Sequence, residues 1–344
     1  MSREFLTPTE SGLTIIKVNP NNVKKIYYFT NEEDSKDFQS WYPASSIKFV
    51  PAILAGKRLS ESGFDNPDNI DIYFHYHSGI KIHQTTWNDL IDKALRPSKN
   101  MQYNELVILA GHYLMNTFLI QNNYDIAMNR PYVKDVWKAR TGLQPATTKD
   151  IKTDFRGCKI VVKDRVSNRE VVYEAARPGA LRLDQDRSTS ASTLSLAEFL
   201  CDFIFNKNKF NLNVNFYNSI KNKMSERKPN NNTTKQEVFV DEIKAQLVES
   251  EWNVYHKPGY LRNEKEKNVI WHYWVDVIVL ESTTNPISSS YAICAYGKEK
   301  KSRFRNLGID TKIKHQSMLN SKVFDNSHLG IAEAIGRLIQ EGEI

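Results

Sequence analysis

The chain has 344 residues, 40% apolar and 25% charged, and its 47 Lys and Arg against 40 Asp and Glu give a net charge of +7. That is ordinary globular composition, long enough for a sizeable core and two or three domains, with a mild basic excess that favours a polyanionic partner. Three cysteines, Cys158, Cys201 and Cys294, lie far apart with no CxxC, which argues against disulfides or a zinc site and for a reducing compartment.

The first residues, MSREFLTPTESGLTII, lack the positive-then-apolar build of a secretory signal, so a soluble, intracellular protein is expected. Residues 1–100 read as β-rich. Gly12–Val18, Lys24–Thr30 and Ser46–Leu54 are short apolar or alternating runs between polar breaks. A hairpin follows in NIDIYFHYHSGIKIH, with Ser78-Gly79 as its turn. The hydrophobic residue between His75 and His77 resembles the HUH motif of replication and relaxase nucleases, which implies paired histidines holding a metal beside a tyrosine, here Tyr103. The hairpin register pairs His83 with Phe74 and His75 with Ile82, which puts His83 on the face opposite the other two. Tyr103 also lacks the lysine that the pattern wants three residues on, and histidines on a half-exposed strand are the alternative.

Residues 102–121 carry a helical apolar stripe through Leu106, Val107, Ala110 and Leu114. The run LVILAGHYLMNTFLI is too short for a bilayer span, so a buried helix and no membrane partner are expected. CKIVVKDRVSNREVVYEA reads as a hairpin turning at Val166-Ser167-Asn168 and exposing Lys159, Arg165 and Arg169. Ser195 and Glu198 form a capping box opening a helix. KFNLNVNFYN alternates Phe210, Leu212, Val214 and Phe216 with Asn211, Asn213 and Asn215, the pattern of a half-buried strand with an asparagine ladder outside. Around it, residues 207–228 hold six basic residues and one acid. The polar stretch SERKPNNNTT, 225–234, reads as a linker, and Thr234 with Glu237 opens another helix.

Residues 269–280 are apolar on both faces, as in a central strand, except for Asp276 between Trp274 and Ile278. An ionised carboxylate there is costly without a partner. A second strand from Ser289 ends in Glu299-Lys300-Lys301, placing Glu299 and Lys301 on one face. At these residues the stretch resembles the PD-(D/E)xK nuclease superfamily. The resemblance implies Asp276 and Glu299 as ligands of Mg²⁺ or Mn²⁺, Lys301 as catalytic lysine and Glu242 as a third acid. No proline precedes Asp276, and an internal salt bridge explains a buried acid equally well. The order helix, three strands, basic segment, helix also resembles the double-stranded-RNA-binding domain, with Gly297, Lys298, Lys300, Lys301, Arg303 and Arg305 as its phosphate grip. Phosphate-loop, Rossmann, HExxH, GxSxG and EF-hand patterns are absent.

The expected fold is α+β: a β-rich N-terminal part, a helical middle, and a C-terminal helix–three-strand–helix unit with a mostly antiparallel sheet. The expected domains are 1–224 and 235–344 around the linker 225–234. The function read from the residues is non-enzymatic nucleic-acid binding, RNA or DNA unresolved, within an oligomer or larger nucleoprotein assembly. Its phosphate contacts would come from Lys207, Lys209, Lys221 and Lys223 in run 207–228. In run 298–322, which carries eight basic residues against two acids, they would come from Lys298, Lys300, Arg303, Arg305, Lys312 and Lys314. The alternatives are the metal-dependent nuclease and a capsid-like structural protein; outside the nuclease reading no cofactor is expected.

Overall fold

The computed structural model describes residues 10–21, 23–30, 43–75, 82–128, 159–174, 189–225, 238–248, 252–266, 269–283, 289–302 and 332–344. In chain order, strands β1 (Glu10–Val18) and β2 (Lys24–Thr30) precede a 3₁₀ turn, Ala44–Lys48, that runs into helix α1 (Phe49–Glu61). Then come β3 (Ile70–His75), β4 (Ile82–Thr86), α2 (Trp87–Leu95), α3 (Asn100–Ala110), α4 (His112–Gln121) and the short β5 (Ile126–Ala127). After β6 (Lys159–Asp164), β7 (Glu170–Glu174) and β8 (Ser190–Ala191) follow α5 (Thr193–Phe205), α6 (Val214–Ser225) and α7 (Val238–Ala245). Strands β9 (Trp252–Glu266), β10 (Val269–Ser282) and β11 (Ser290–Ser302) and a helix α8 at 332–340 complete the chain.

The α+β class holds, and every strand pair among the described residues is antiparallel. The main sheet has the order β2-β1-β11-β10-β9, so strands from the start of the chain join strands from its end, across the 225–234 division. Strand periodicity then makes two cores. Val275, Val277 and Val279 face the helical core with α1 and α5, while Ile278 and Leu280 face a smaller core under α7 and α8. Both faces of β10 are therefore covered, which explains its nearly continuous apolar run. Truncating Ile278 to Ala would cost about 2–5 kcal/mol, since the side chain is fully enclosed.

Three stretches differ from the sequence expectation. Ser46–Leu54 is not a strand but the 3₁₀ turn and the first half of α1. A short apolar run has the same composition in a buried strand and in a helix buried all round, and α1 is the latter, with Phe49–Gly56 all buried. The alternating KFNLNVNFYN is a 3₁₀ turn, Lys207–Phe210, followed by α6. Its asparagines cap and turn instead of forming a ladder: Asn211 takes a left-handed φ of 49°, and the Asn213 Oδ1 accepts from the Asn215 N–H at 2.8 Å. The long helix expected at 102–121 is two helices broken at Gly111, whose φ is +80°. No helix among the described residues is long and apolar enough to cross a membrane.

Candidate active site

The first turn of the central helix supplies two groups at one spot. In a 3₁₀ turn residues three apart eclipse one another, so Ser45 and Lys48 share a face. Ala44, just before them, has a φ of +46°, a left-handed conformation that costs a residue with a Cβ about 1–3 kcal/mol. Ser46 is fully buried, and its hydroxyl donates to the Pro43 carbonyl at 2.5 Å. Ser45, half-buried, is the hydroxyl left at the surface of the turn.

Lys48 is 0% exposed. Its Nζ donates to the Asn100 Oδ1 at 2.7 Å and to the Ser98 carbonyl. Both partners sit where α2 hands over to α3, and Ser98 holds a left-handed φ of 57° there. Strand β9 brings a second lysine from the other side. Lys257, 1% exposed, donates to the Ser98 Oγ at 2.9 Å and to the Pro258 carbonyl at 3.0 Å. Burial, reinforced by the Lys257 ammonium, lowers the Lys48 pKa from 10.5 to about 6. At neutral pH Lys48 is thus an uncharged amine able to accept a proton.

Gly259 lets the strand come this close. A Cβ there would lie 2.6 Å from the Ser46 nitrogen and 2.9 Å from both the Pro43 oxygen and the Ser45 nitrogen. The strand edge and the Ala44–Lys48 turn therefore run in backbone contact, the close approach that glycine alone allows. A polar cleft of about 500 Å³, lined by Asn66, Asn88, Asn218 and Asn222 among others, opens beyond the far end of α1 and holds none of these groups.

The residues expected from the sequence lie elsewhere. Asp276 is 1% exposed and faces the smaller core, its Oδ1 4.0 Å from the His256 Nδ1. Burial raises its pKa well above the ordinary value, with Lys257 pulling the other way. The β10–β11 register pairs Asp276 with Ala295, Glu299 with His272 and Lys301 with Ile270. Glu299 is thus four residues along the strand from Asp276, about 13 Å, and Lys301 about 20 Å. One ion cannot bridge those carboxylates, and no cluster able to hold a metal occurs among the described residues. The nuclease reading is therefore corrected, while Glu242 lies on α7. The side chains of Lys298, Glu299, Lys300 and Lys301, and all of Arg303, Arg305, Lys312 and Lys314, lie outside the described residues. Gly297–Ser302 continues β11 instead of opening a helix, unlike the RNA-binding domain.

In the first basic run Lys207 is exposed, but three lysines meet carboxylates of other elements. Lys209 contacts Asp202 at 2.7 Å, Lys221 contacts Glu281 at 3.2 Å and Lys223 contacts Asp92 at 3.4 Å. The hairpin register is as expected, Phe74 opposite His83 and His75 opposite Ile82. His83 stacks on Phe74 and meets Glu105 at 2.7 Å, which separates it from His75; His77 lies outside the described residues.

No family model and no curated protein matches the chain. Solved structures do. A class A β-lactamase representative from Bacteroides cellulosilyticus aligns with a TM-score of 0.53 at 10% identity, over 96% of this chain and 91% of that one. TLA-3 extended-spectrum β-lactamase aligns at 0.54 and 13% over 94% and 93%, and a β-lactamase from Chitinophaga pinensis at 0.53 and 11% over 96% and 94%. The fold is that of the class A β-lactamases. This overturns the nucleic-acid-binding function and partner, together with the nuclease and capsid alternatives. The missed signal was in plain view: Ser45-Ser46-Ile47-Lys48, Ser98-Lys99-Asn100 and Lys257-Pro258-Gly259 follow the S-x-x-K, S-D-N and K-T-G set of such enzymes, with Lys99 for the acid and Pro258 for the hydroxyl residue.

Proposed function

We propose that the protein is a serine hydrolase or acyltransferase acting on a small-molecule ester or amide. The observation that carries this reading is the convergence of two buried lysines on Ser98, beside the turn that presents Ser45. The Ser45 Oγ attacks the substrate carbonyl carbon while its proton passes to neutral Lys48. Ser98, held by Lys257, delivers a proton to the departing oxygen or nitrogen as its bond to the carbonyl carbon breaks. Asn100 orients the Lys48 amine. Water or another acceptor then attacks the acyl-enzyme and restores Ser45.

The Ser45 N–H supplies one donor to the developing oxyanion, and β9 supplies the other. Pro258 has no N–H, so it occupies an outward-facing position of this edge strand, where no ladder bond is lost. Backbone direction alternates along an antiparallel strand. Tyr260, two residues on in an unbroken register, then turns its N–H outward as well. The solved neighbours are named as β-lactamases, and a strained cyclic amide is one member of this acyl-donor class. An intracellular location belongs to the same proposal, supported by the free, buried Cys201 and Cys294.

A neutral chromogenic aryl ester tests the reading. A burst of phenolate, with the acyl group mapped by peptide mass to Ser45, is expected. Absence of any Ser45 adduct, or equal turnover by Ser45→Ala, would contradict it.

A further inference from the structure

Pro258 stands at the point where the strand edge meets the site, and its chemistry limits what that edge can hold. A carboxylate bound beside the scissile bond needs hydrogen-bond donors, ideally charged ones. The Lys257 ammonium is 1% exposed and already donates to the Ser98 Oγ at 2.9 Å and the Pro258 carbonyl at 3.0 Å. At position 258 itself there is neither a backbone N–H nor a side-chain hydroxyl, and the carbonyl is occupied by Lys257. The next outward-facing donor, the Tyr260 N–H, is the one assigned to the oxyanion. Gly259 adds no side chain, and cannot, because the Ser45–Ser46 backbone fills the space.

We infer that Pro258 is a specificity-determining residue: the site accepts acyl donors whose leaving group is uncharged and disfavours those carrying a carboxylate beside the scissile bond. This rests on Ser45 acylation as proposed above. In the acylation step the Ser45 Oγ–carbonyl bond forms, the carbonyl–leaving-group bond breaks, and the serine proton ends on the leaving group by way of Lys48 and Ser98. Among the described residues, a carboxylate on the leaving group would meet, at positions 257–260 of the strand edge, no donor beyond those already assigned to replace its water.

The test compares two aryl esters of one acylglycine, one releasing phenol and the other 3-hydroxybenzoate, on the full chain. The ratio of their kcat/KM values is read within one enzyme preparation, so partial misfolding of a variant cancels. The phenyl ester is expected to be favoured by at least about tenfold, the size of one missing charge-assisted hydrogen bond. Pro258→Ala restores an outward N–H and is expected to reduce that ratio by at least about threefold. A preference for the carboxyphenyl ester, which the exposed Lys99 beside Ser98 would supply, overturns the inference. So does a ratio that Pro258→Ala leaves unmoved. If neither ester acylates Ser45, the proposed function itself fails, a result distinct from either of these.

Discussion

Lys257 reaches the Ser98 hydroxyl at 2.9 Å from the sheet side, while Lys48 reaches the carbonyl of the same serine from the helix side. Burial, with the Lys257 charge adding to it, lowers the Lys48 pKa to about 6. In the proposed mechanism Lys48 is then the base and Lys257 holds Ser98.

The rate of Ser45 acylation is therefore expected to rise with pH through an apparent midpoint near 6, as Lys48 loses its proton. Lys257→Gln removes the neighbouring charge and should move that limb to higher pH. A profile flat from pH 5 to 8 in the parent protein would contradict the assignment of Lys48 as base.

Lys48 also carries a stability cost. Its folded pKa lies below the unfolded value, so between pH 6 and 10.5 the unfolded chain binds the extra proton and stability rises with pH across that window. Lys48→Met should abolish acylation yet raise stability near pH 7, by on the order of 2 kcal/mol. Thermal melts at pH 7 and pH 10 check this, because the gain should shrink toward the upper pH.

Gly259→Ala pushes a methyl into the backbone of Pro43, Ser45 and Ser46. We expect a loss of about 1–3 kcal/mol in denaturant unfolding and a larger proportional loss of acylation, because the strand edge must retreat from the Ser45 turn. An active, undiminished Gly259→Ala protein would mean that the turn and strand are not in contact.

Much of the scaffold was legible in the chain. The central strand β10, the Phe74–His83 register and the turn at Asn168, with its φ of 56°, all follow from local periodicity and turn chemistry. What local pattern could not convey is the pairing of β1 with β11, which brings Ser11 opposite Gly297 across most of the chain. The site depends on the same long-range closure. S-x-x-K, S-x-N and K-x-G are each short enough to occur by chance, and only the fold sets Ser45, Ser98 and Lys257 side by side. An acid in an apolar run, as at Asp276, is conspicuous in sequence, whereas nothing local in the run Ser46–Leu54 marks Lys48 as buried.

Asp276 belongs to the core. Its folded pKa is raised by burial, so the native state keeps a proton that the unfolded chain releases, and stability falls as pH rises above the unfolded value of 3.8. Asp276→Asn should flatten that fall while leaving any Ser45 acylation independent of added Mg²⁺ or chelator. Unfolding curves between pH 4 and 7 are the measurement.

The most direct test of the account is the site of covalent labelling. Parent protein, Ser45→Ala and Ser46→Ala are each treated with the neutral aryl ester, quenched during the burst and mapped by peptide mass. The account predicts an acyl group on Ser45 in the parent and in Ser46→Ala, and none in Ser45→Ala. An adduct on Ser46, or none on the turn at all, would contradict it.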